Sequence, residues 1–339
     1  MTSTAWARVE TDWTLHGQPA LVLTNDRLRV VVLPGLGGRV WEVLDLRSGR
    51  QLLWHHPRLA PAPVPFGTSY DDNFIGGWDE LFPNDLAEEL AGEPYPDHGE
   101  AWSVPWQWQV EPGPDAVVRL TLTTRISACR LERVLRLAPA SDTLVLETSA
   151  TNGTGAELPM LHKQHCAVDL PAGSRIDLPP ARVEIGEFGR LRAGDYGERF
   201  GWPMLGETDF AAAPRADGEV SELLFATDLT DGWCAVTRPD GLGLTMTFDR
   251  AAYPACWTFA SWGGWRGLRV AVLEPCTGSG VSVAEGLAAG RHRTLAAGET
   301  LSTRLGLTVH RDLAQVTAVV HHDGRTTVQG VPLVTGGER

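Results

Sequence analysis

Two segments of the sequence place an imidazole and a carboxylate where they could exchange protons with a substrate. His165 lies in the stretch 162–166 (HKQHC) at the start of an expected strand, where one histidine facing a cleft suits a general acid. Glu274 ends the apolar strand 270–274, because Pro275 has no N–H to extend the ladder. Partial desolvation there would raise the pKa of Glu274 towards the range of a general base. A structural histidine and a solvated edge carboxylate are the alternatives.

The histidine-rich stretch could also bind a metal or hold a cysteine nucleophile, and strand geometry argues against both. Residues three apart in a strand point to opposite faces, so His162 and His165 cannot easily share one ion. Cys166 and His165 are neighbours and also face apart, which disfavours a thiol–imidazole pair. We therefore predict a site without a metal or a cofactor.

Two irregular stretches carry polar side chains of the kind that bind ligands. Residues 76–84 (GGWDELFPN) and 97–102 (DHGEAW) combine acids, an amide, an imidazole and two tryptophans with glycine and proline. Loops on a rigid scaffold commonly carry binding groups, and glycine lets the backbone approach a ligand closely. The alternative is that Asn84 is a turn former and His98 a surface residue.

Tryptophan is unusually frequent, with 13 Trp against only 4 Tyr. The flat indole face matches the apolar C–H face of a sugar ring, and the indole N–H can donate to a hydroxyl. Trp78 and Trp257 lie near the polar stretches and are candidates for stacking on a sugar. Core packing is the alternative for each tryptophan, because this residue is highly buried on average.

Charge and motif content exclude several other functions. Lys and Arg number 29 against 42 Asp and Glu, and the resulting net charge of −13 repels phosphate backbones and anionic lipids. Residues 35–38 (GLGG) might suggest a phosphate loop, but a strand pattern follows where a nucleotide-binding loop needs a helix. We expect a small-molecule ligand and neither a nucleic-acid nor a membrane partner.

The sequence favours a cytoplasmic protein. No apolar run approaches the roughly 18 residues that span a bilayer, and the first residues lack the basic and apolar regions of a signal peptide. The five cysteines are odd in number and form no CxxC pair, as is typical of a reducing compartment. The negative charge suits a monomer, and a homodimer through an exposed strand edge is the alternative.

Short alternating or β-branched runs, bounded by turn residues, must position these candidates. The expected strands cover residues 20–23, 28–33, 39–46, 51–54, 117–122, 129–137, 144–148, 222–227, 233–238, 243–248, 267–274 and 300–309. Only residues 85–92 and 283–289 have a helical pattern. This density of strands predicts an all-β antiparallel sandwich or barrel. Without a linker we expect one domain over 1–339, with its core over about 21–309 and a tail over 310–339.

Several segments together resemble the aldose 1-epimerase (galactose mutarotase-like) family, in its galactose mutarotase-related branch. Residues 273–278 (LEPCTG) resemble the segment with this family's general base, and residues 152–179 the segment with its general-acid histidine. Residues 82–106 resemble a substrate loop that contains His-Gly. The likeness keeps the same order over about residues 21–309. It implies a galactose-mutarotase-like supersandwich of antiparallel sheets with few short helices.

The resemblance also implies roles for individual residues. Glu274 would be the base and a protonated His165 the acid, with His162 as the second possibility for the acid. His98 would bind a sugar hydroxyl. The other expected sugar-binding residues are Arg39, Asn84, Glu80, Trp78 and Trp257.

The implied activity interconverts the α and β anomers of a hexose or hexose derivative through the open-chain aldehyde. One group takes the proton of the anomeric hydroxyl and another protonates the ring oxygen, so neither a metal nor a redox cofactor is required. The family's substrate-binding aspartate has only Asp209 and Asp228 as candidates here. Arg39 is compatible with a phosphorylated or sulfonated sugar as the substrate, because a guanidinium can bind such groups through two hydrogen bonds.

Three alternatives to mutarotation would use the same cleft. A carbohydrate-binding protein would use the tryptophans and acids without turnover, and another sugar isomerase or a lyase would act on an acidic or keto sugar. A metal-dependent isomerase would need His98 and His165 to converge with a carboxylate. The presence of both an acid and a base candidate favours an enzyme over a binding protein.

Overall fold

Antiparallel strands make up most of the regular structure in residues 5–215, 218–322 and 325–334, which are the residues that the computed structural model describes. In the first half of the chain the strands are β1 (Ala7–Leu15), β2 (Gln18–Asn25), β3 (Leu28–Leu33), β4 (Arg39–Asp45), β5 (Arg50–Gln51), β6 (Trp78–Leu81), β7 (Glu88–Leu90), β8 (Glu93–Tyr95), β9 (Gln107–Glu111), β10 (Ala116–Thr123), β11 (Cys129–Leu137), β12 (Thr143–Asn152), β13 (Leu158–Met160) and β14 (Lys163–Val168). The later strands are β15 (Arg175–Asp177), β16 (Arg182–Ile185), β17 (Arg199–Gly201), β18 (Met204–Leu205), β19 (Thr208–Asp209), β20 (Val220–Thr227), β21 (Trp233–Thr237), β22 (Gly243–Phe248), β23 (Ala255–Trp262), β24 (Arg269–Cys276), β25 (Arg293–Leu295), β26 (Thr300–His310), β27 (Leu313–His322) and β28 (Arg325–Pro332). A 3₁₀ turn covers Asp71–Asn73.

Two large antiparallel sheets share one core. The larger sheet has the order β1-β2-β3-β4-β6-β14-β24-β23-β20-β16-β17, with β5 beside β4. The smaller sheet has the order β15-β21-β22-β26-β12-β11-β10-β9. Leu23 and Cys166 of the larger sheet belong to the same buried apolar cluster as Leu135 and Leu146 of the smaller one. The predicted all-β antiparallel architecture is confirmed.

The opposite face of the larger sheet carries a separate set of side chains, and we call it the outer face. Strand side chains alternate between faces, so Leu273 of β24 enters the shared core while Val272 beside it enters a second cluster. Tyr70, Phe74 and Trp102, from the loops before and after β6, pack into that second cluster. The loops therefore enclose the outer face around β6, β14 and β24.

The two predicted helices have different outcomes. Helix α1 (Val283–Ala288) is confirmed, and the Ser282 side chain caps its first turn by accepting a backbone N–H. The helix predicted over residues 85–92 is wrong, because β7 and β8 form a hairpin there. Its turn places Ala91 at φ 53° and Gly92 at φ 85°, a left-handed pair that suits a tight hairpin. No helix in the described ranges is both long and apolar enough to cross a membrane.

Much of the segment predicted as a C-terminal tail is folded. Strands β27 and β28 form a hairpin that packs on β21, where Val316 is buried against Trp233 and Ala235. The backbone N–H of Val316 also donates to the Asp177 carboxylate at 2.9 Å. Residues 323–324 and 335–339 of the predicted tail lie outside the described residues.

Candidate active site

Strand pairing on the outer face of the larger sheet brings the main candidates into one row. His165 of β14 lies opposite Asp79 of β6. The register between β14 and β24 is constant on either side of His165 and places it opposite Glu274. Trp257 of β23 lies opposite Glu274 in turn. Directly opposite side chains in a sheet lie about 5 Å apart, so these neighbours can interact. We call Asp79, His165, Glu274 and Trp257 the acid–base row.

A chain of hydrogen bonds orients the ring of His165. Its Nδ1 lies 2.9 Å from the hydroxyl of Tyr70, which in turn donates to Oδ2 of Asp79 at 2.9 Å. Arg39 holds the same carboxylate oxygen at 2.6 Å and donates to the carbonyl oxygen of Gly76 at 2.5 Å. Side chains from β4, β6 and β14 and one loop residue therefore fix the imidazole at its Nδ1 side.

The electrostatic surroundings of His165 favour the neutral ring. The side chain is only 6% exposed. Burial holds the pKa of His165 well below its ordinary value, and the positive charges of Lys163, His98 and Arg39 lower it further. The protonated His165 expected from the resemblance is therefore disfavoured at neutral pH in the unliganded protein.

Glu274 is a buried carboxyl beside an ammonium group that a second carboxylate shares. It is 2% exposed, and its Oε2 lies 2.7 Å from Nζ of Lys163. Lys163 also hydrogen-bonds Asp85 and lies 4.3 Å from the centre of the Trp257 ring. Burial raises the pKa of Glu274, Lys163 opposes that shift, and the charge of Asp85 adds to it, so the net direction is upward.

His98 is the predicted ligand-binding residue that solvent reaches best. Its side chain is 16% exposed, and its ring stacks on Tyr70 with centroids 4.1 Å apart. Nδ1 lies 2.7 Å from Asp97 and Nε2 lies 3.7 Å from Asp85. Burial lowers the pKa of His98, but these two carboxylates raise it more, so the net direction is upward. The ring centroid lies 6.3 Å from that of His165, close enough for one ligand to contact both.

A constrained loop presents His98. The backbone turns through two left-handed residues, His98 at φ 57° and Gly99 at φ 77°. A methyl group on Gly99 would collide with the carbonyl oxygen of Phe82, so the second position requires glycine. Asn84 is fully buried, and its amide donates to the carbonyl oxygen of Pro96 at 2.8 Å. Asn84 therefore shapes the loop from a buried position, and its expected role in binding a sugar hydroxyl stays a prediction.

The raised pKa of His98 predicts a pH-dependent contribution to stability. Protonated His98 stabilises the fold fully below its unfolded-state pKa of about 6.5, and this contribution is lost as the pH rises through the higher folded-state pKa. We expect His98→Asn to lower the free energy of unfolding more at about pH 5.5 than at about pH 8.5, as measured by urea titration. His16→Asn is the matched control, because His16 is exposed and also left-handed, at φ 48°. A loss that does not vary with pH would contradict the prediction.

Trp78 and Glu80 do not line the site, because β6 turns them inward. Alternation sends Asp79 to the outer face and these two residues into the core between the sheets. The indole N–H of Trp78 donates to Gln164 at 2.8 Å. Glu80 lies 2.7 Å from Nε2 of His162 and 2.9 Å from Nε of Arg133, and all three side chains are fully buried. The structure therefore places Trp78 and Glu80, which the resemblance assigns to sugar binding, in the core between the sheets, and the alternative acid His162 also lies away from the outer face.

The remaining candidates support the row or lie apart from it. Arg39 is 2% exposed and paired with Asp79, so it is not free to clamp a phosphate or sulfonate group. Trp257 is fully buried beneath Lys163 and has no exposed face for stacking on a sugar. Asp209 pairs with Arg175 at 2.9 Å. In the described part of the chain, no hydrogen bond or ion pair joins Asp209 or Asp228 to the acid–base row.

Four site residues were not found by sequence reasoning. Lys163 could have been predicted beside His165, because it lies two residues earlier and strand alternation puts both side chains on one face. Asp79 would have followed from recognising β6 as a strand. Asp85 lies in the wrongly predicted helix. Tyr70 follows an irregular stretch without any periodic pattern and carries no local signal.

Two further observations concern metals and cavities. Among residues 5–215, 218–322 and 325–334, no three His, Cys, Asp or Glu side chains converge as metal ligands would. A cavity of about 460 Å³ opens at the other end of β14 and β24, and its lining includes Trp54, Arg58, Asp169 and Arg269. Asp169 is four residues from His165, or roughly 13 Å along an extended strand.

Known protein structures share this fold. No protein-family model matches the sequence, and no curated protein matches it. A protein from Klebsiella pneumoniae, provisionally assigned as an aldose 1-epimerase, is similar with a TM-score of 0.69 at 15% identity over 89% of this chain and 83% of its own. A protein from Escherichia coli K12 with the same provisional assignment has a TM-score of 0.62 at 20% identity over 84% and 96% of the two chains. A galactose mutarotase-like protein from Clostridium acetobutylicum has a TM-score of 0.62 at 14% identity over 90% and 99%.

These likenesses confirm the resemblance seen in the sequence. Each covers more than four fifths of this chain. The described residues therefore have the galactose-mutarotase-like fold of antiparallel sheets, and the structural neighbours are aldose 1-epimerase-like and mutarotase-like proteins.

Proposed function

We propose that this protein is an aldose mutarotase, of the aldose 1-epimerase type, that interconverts the α and β anomers of a hexose or hexose derivative. The observation that carries the proposal is the placement of His165 opposite Glu274 on the loop-enclosed outer face. Both groups are buried, and their pKa values are shifted in opposite directions. Buried titratable groups whose pKa values are shifted by desolvation and by charged neighbours are typical of functional sites.

The reaction needs two proton exchanges at one ring. One member of the pair takes the proton of the anomeric hydroxyl while the other protonates the ring oxygen, and the C1–O5 bond breaks to give the aldehyde. Rotation about C1–C2 presents the other face of the carbonyl. Ring closure then returns each proton to its original carrier. His98, which contacts solvent and lies next to His165, would bind a sugar hydroxyl.

The charges around the pair favour an uncharged sugar. Arg39 is paired with Asp79, Lys163 with Glu274 and Asp85, and His98 with Asp97. A phosphate dianion beside the row would therefore meet cations that are already neutralised. We expect neutral aldoses to be better substrates than hexose 6-phosphates.

Anomer exchange measured by NMR tests the proposal. Freshly dissolved α-glucose, α-galactose and a hexose 6-phosphate would each be followed with and without the protein and with and without EDTA. We expect the protein to accelerate equilibration of a neutral hexose, with EDTA having no effect and the phosphate reacting more slowly. If no sugar equilibrates faster than it does in buffer, the proposed activity is wrong for these substrates.

Binding without turnover is the second candidate function. The cavity near Trp54 and Arg58 favours it, because its volume of about 460 Å³ suits a small ligand and the acid–base row does not line it. Line broadening of a sugar without faster anomer exchange would support this candidate. Sensitivity of that broadening to Arg58→Ala would place the bound ligand in the cavity.

A further inference from the structure

Lys163 is the only lysine in the sequence, in which Lys and Arg together number 29. It lies on β14, where alternation puts its side chain on the outer face together with that of His165. The side chain is only 3% exposed. An ammonium group is a compact charge with three donors, which a planar guanidinium does not imitate. The use of lysine at this one buried position therefore points to a local role for a compact cation.

Strand register puts Lys163 diagonally across from Glu274. Lys163 pairs with Cys276 of β24, and Glu274 lies two residues before Cys276, on the same face of the sheet. Diagonal neighbours are within reach of a long side chain. Nζ of Lys163 accordingly lies 2.7 Å from Oε2 of Glu274, which is the distance of a charge-assisted hydrogen bond. With Oε2 held in this way, Oε1 is the oxygen of Glu274 left to exchange a proton with a substrate.

Asp85 and Trp257 hold the same ammonium group from two other sides. The buried Asp85 carboxylate accepts a hydrogen bond from Nζ of Lys163. The centre of the Trp257 ring lies 4.3 Å from Nζ, and the indole N–H donates to the carbonyl oxygen of Gly278 at 2.8 Å, which fixes the ring. A cation over an indole face is attracted most strongly where water is excluded. Lys163 is therefore held in place on three sides.

We propose that Lys163, held by Asp85 and Trp257, is a positioning residue that fixes Glu274 as the base of the acid–base row. This inference rests on the proposed mutarotase function and names the support of its base. In the ring opening described there, Glu274 takes the proton of the anomeric hydroxyl on Oε1 while its partner protonates the ring oxygen. Each proton returns on ring closure.

Two opposing charges set how readily Glu274 accepts that proton. Burial raises the pKa of Glu274, the ammonium group of Lys163 lowers it, and the carboxylate of Asp85 raises it. A carboxylate beside an unshared cation would be a weak base, and one beside another carboxylate alone would stay protonated. Sharing the cation places Glu274 between these limits. The other titratable groups near Glu274 are His165 of β14, His98 and Tyr70 from the loops, and Cys276 of its own strand.

The single lysine allows a test that needs no substrate. Carbon-13 NMR of the full chain labelled at lysine Cε shows one side-chain signal, whose shift reports charge changes at the neighbouring carboxyls. We expect a titration step above the ordinary glutamate value of about pH 4.3. The step should be absent in Glu274→Gln and present in the control Glu207→Gln, whose site is exposed. A step that persists in Glu274→Gln, or no step above that value, would overturn the inference. This outcome does not depend on turnover, so it is separate from a failure of the proposed function.

Lys163→Met and Asp85→Asn are expected to move the pH dependence of activity in opposite directions. In wild type, kcat/KM rises with pH through the pKa of the base in the free protein. Removing the cation should move this rise upward by about one pH unit or more, and removing the second carboxylate should move it downward. Shifts in the same direction, or no shift in either variant, would overturn the positioning role.

Asp45→Asn is the matched control for Asp85→Asn. Asp45 is also a buried carboxylate, and it pairs with Arg311 at 2.5 Å, at the end of β4 opposite to Arg39. We expect this variant to lower the melting temperature without moving the rise in kcat/KM. If Asp85→Asn also changes only the melting temperature, the pair of Asp85 and Lys163 is structural and the inference is wrong.

Lys163→Arg tests whether the compact ammonium group matters in addition to its charge. The guanidinium keeps the positive charge, so the rise in kcat/KM should stay near its wild-type pH. Its planar fork cannot reproduce the contacts to Asp85, Glu274 and the indole face, and we expect kcat to fall about 10- to 100-fold with KM within about twofold. An unchanged kcat would overturn the positioning part of the proposal. If Lys163→Met does not fold, the lysine NMR of wild type and the pH profile of Asp85→Asn still decide the proposal.

Discussion

Replacing Glu274 by Gln is expected to slow anomer exchange about 10²- to 10⁴-fold, the usual contribution of one positioned proton-transfer group. The amide has nearly the same shape but cannot exchange the proton that the ring oxygen or the anomeric hydroxyl requires. Lys163 keeps its hydrogen bond to Asp85, so the buried cation is not left without a partner. The loss should therefore fall on kcat, with KM changing little, in an NMR or polarimetric assay.

A matched substitution separates this effect from a general loss of charge. Glu207→Gln removes one carboxylate from an exposed turn between β18 and β19, and it should leave both kcat and KM unchanged. A Glu274→Gln protein that keeps wild-type activity would remove Glu274 from the proposed mechanism. Equal melting temperatures of the two variants would show that the comparison concerns chemistry and not folding.

Replacing Glu80 by Ala is expected to destabilise the fold by about 3–5 kcal/mol, because breaking a buried ion pair leaves an uncompensated charge. Glu80 lies 2.9 Å from Arg133 and 2.7 Å from His162, and all three side chains are fully buried between the sheets. Urea unfolding followed by tryptophan fluorescence would measure the loss. Burial raises the pKa of Glu80, but His162 and Arg133 lower it more. Its stabilisation is therefore present at neutral pH and is lost as the pH falls through that lowered pKa.

Glu132→Ala is the control for this prediction. Glu132 also pairs with an arginine, Arg119, but the two side chains are 27% and 30% exposed. Exposed pairs contribute about 0–1 kcal/mol, so the control should change stability little. If Glu80→Ala unfolds like wild type and instead weakens sugar binding, Glu80 is a ligand residue and the placement of β6 described above is wrong.

The fold class could be read from the sequence because sheet patterns are local. Alternating and β-branched runs bounded by turn residues predicted strands such as residues 28–33 and 129–137, and β3 and β11 have those bounds. The prediction of a helix over residues 85–92 was wrong because the left-handed pair Ala91 and Gly92 closes a hairpin there. A run of eight residues has too weak a helical preference to resist that turn.

The candidate site was predictable only in part. Alternation correctly separated His165 from His162, which enters the core. It was not applied to residues 78–81, because glycines before them and proline after them suggested a loop. The side chains of Trp78 and Glu80 were consequently expected at a ligand and lie in the core, and Asp79 between them was given no site role.

The sequence by itself determined the antiparallel architecture, the chemical types available and the placement of His162 and His165 on opposite faces. All three depend on patterns within a few residues of the chain. Tertiary structure decided which residues meet, because Tyr70, Asp79, His165 and Glu274 come from distant segments that only strand pairing and loop packing bring together. It also decided their protonation, since burial and neighbouring charges shift pKa values in ways that no local pattern encodes.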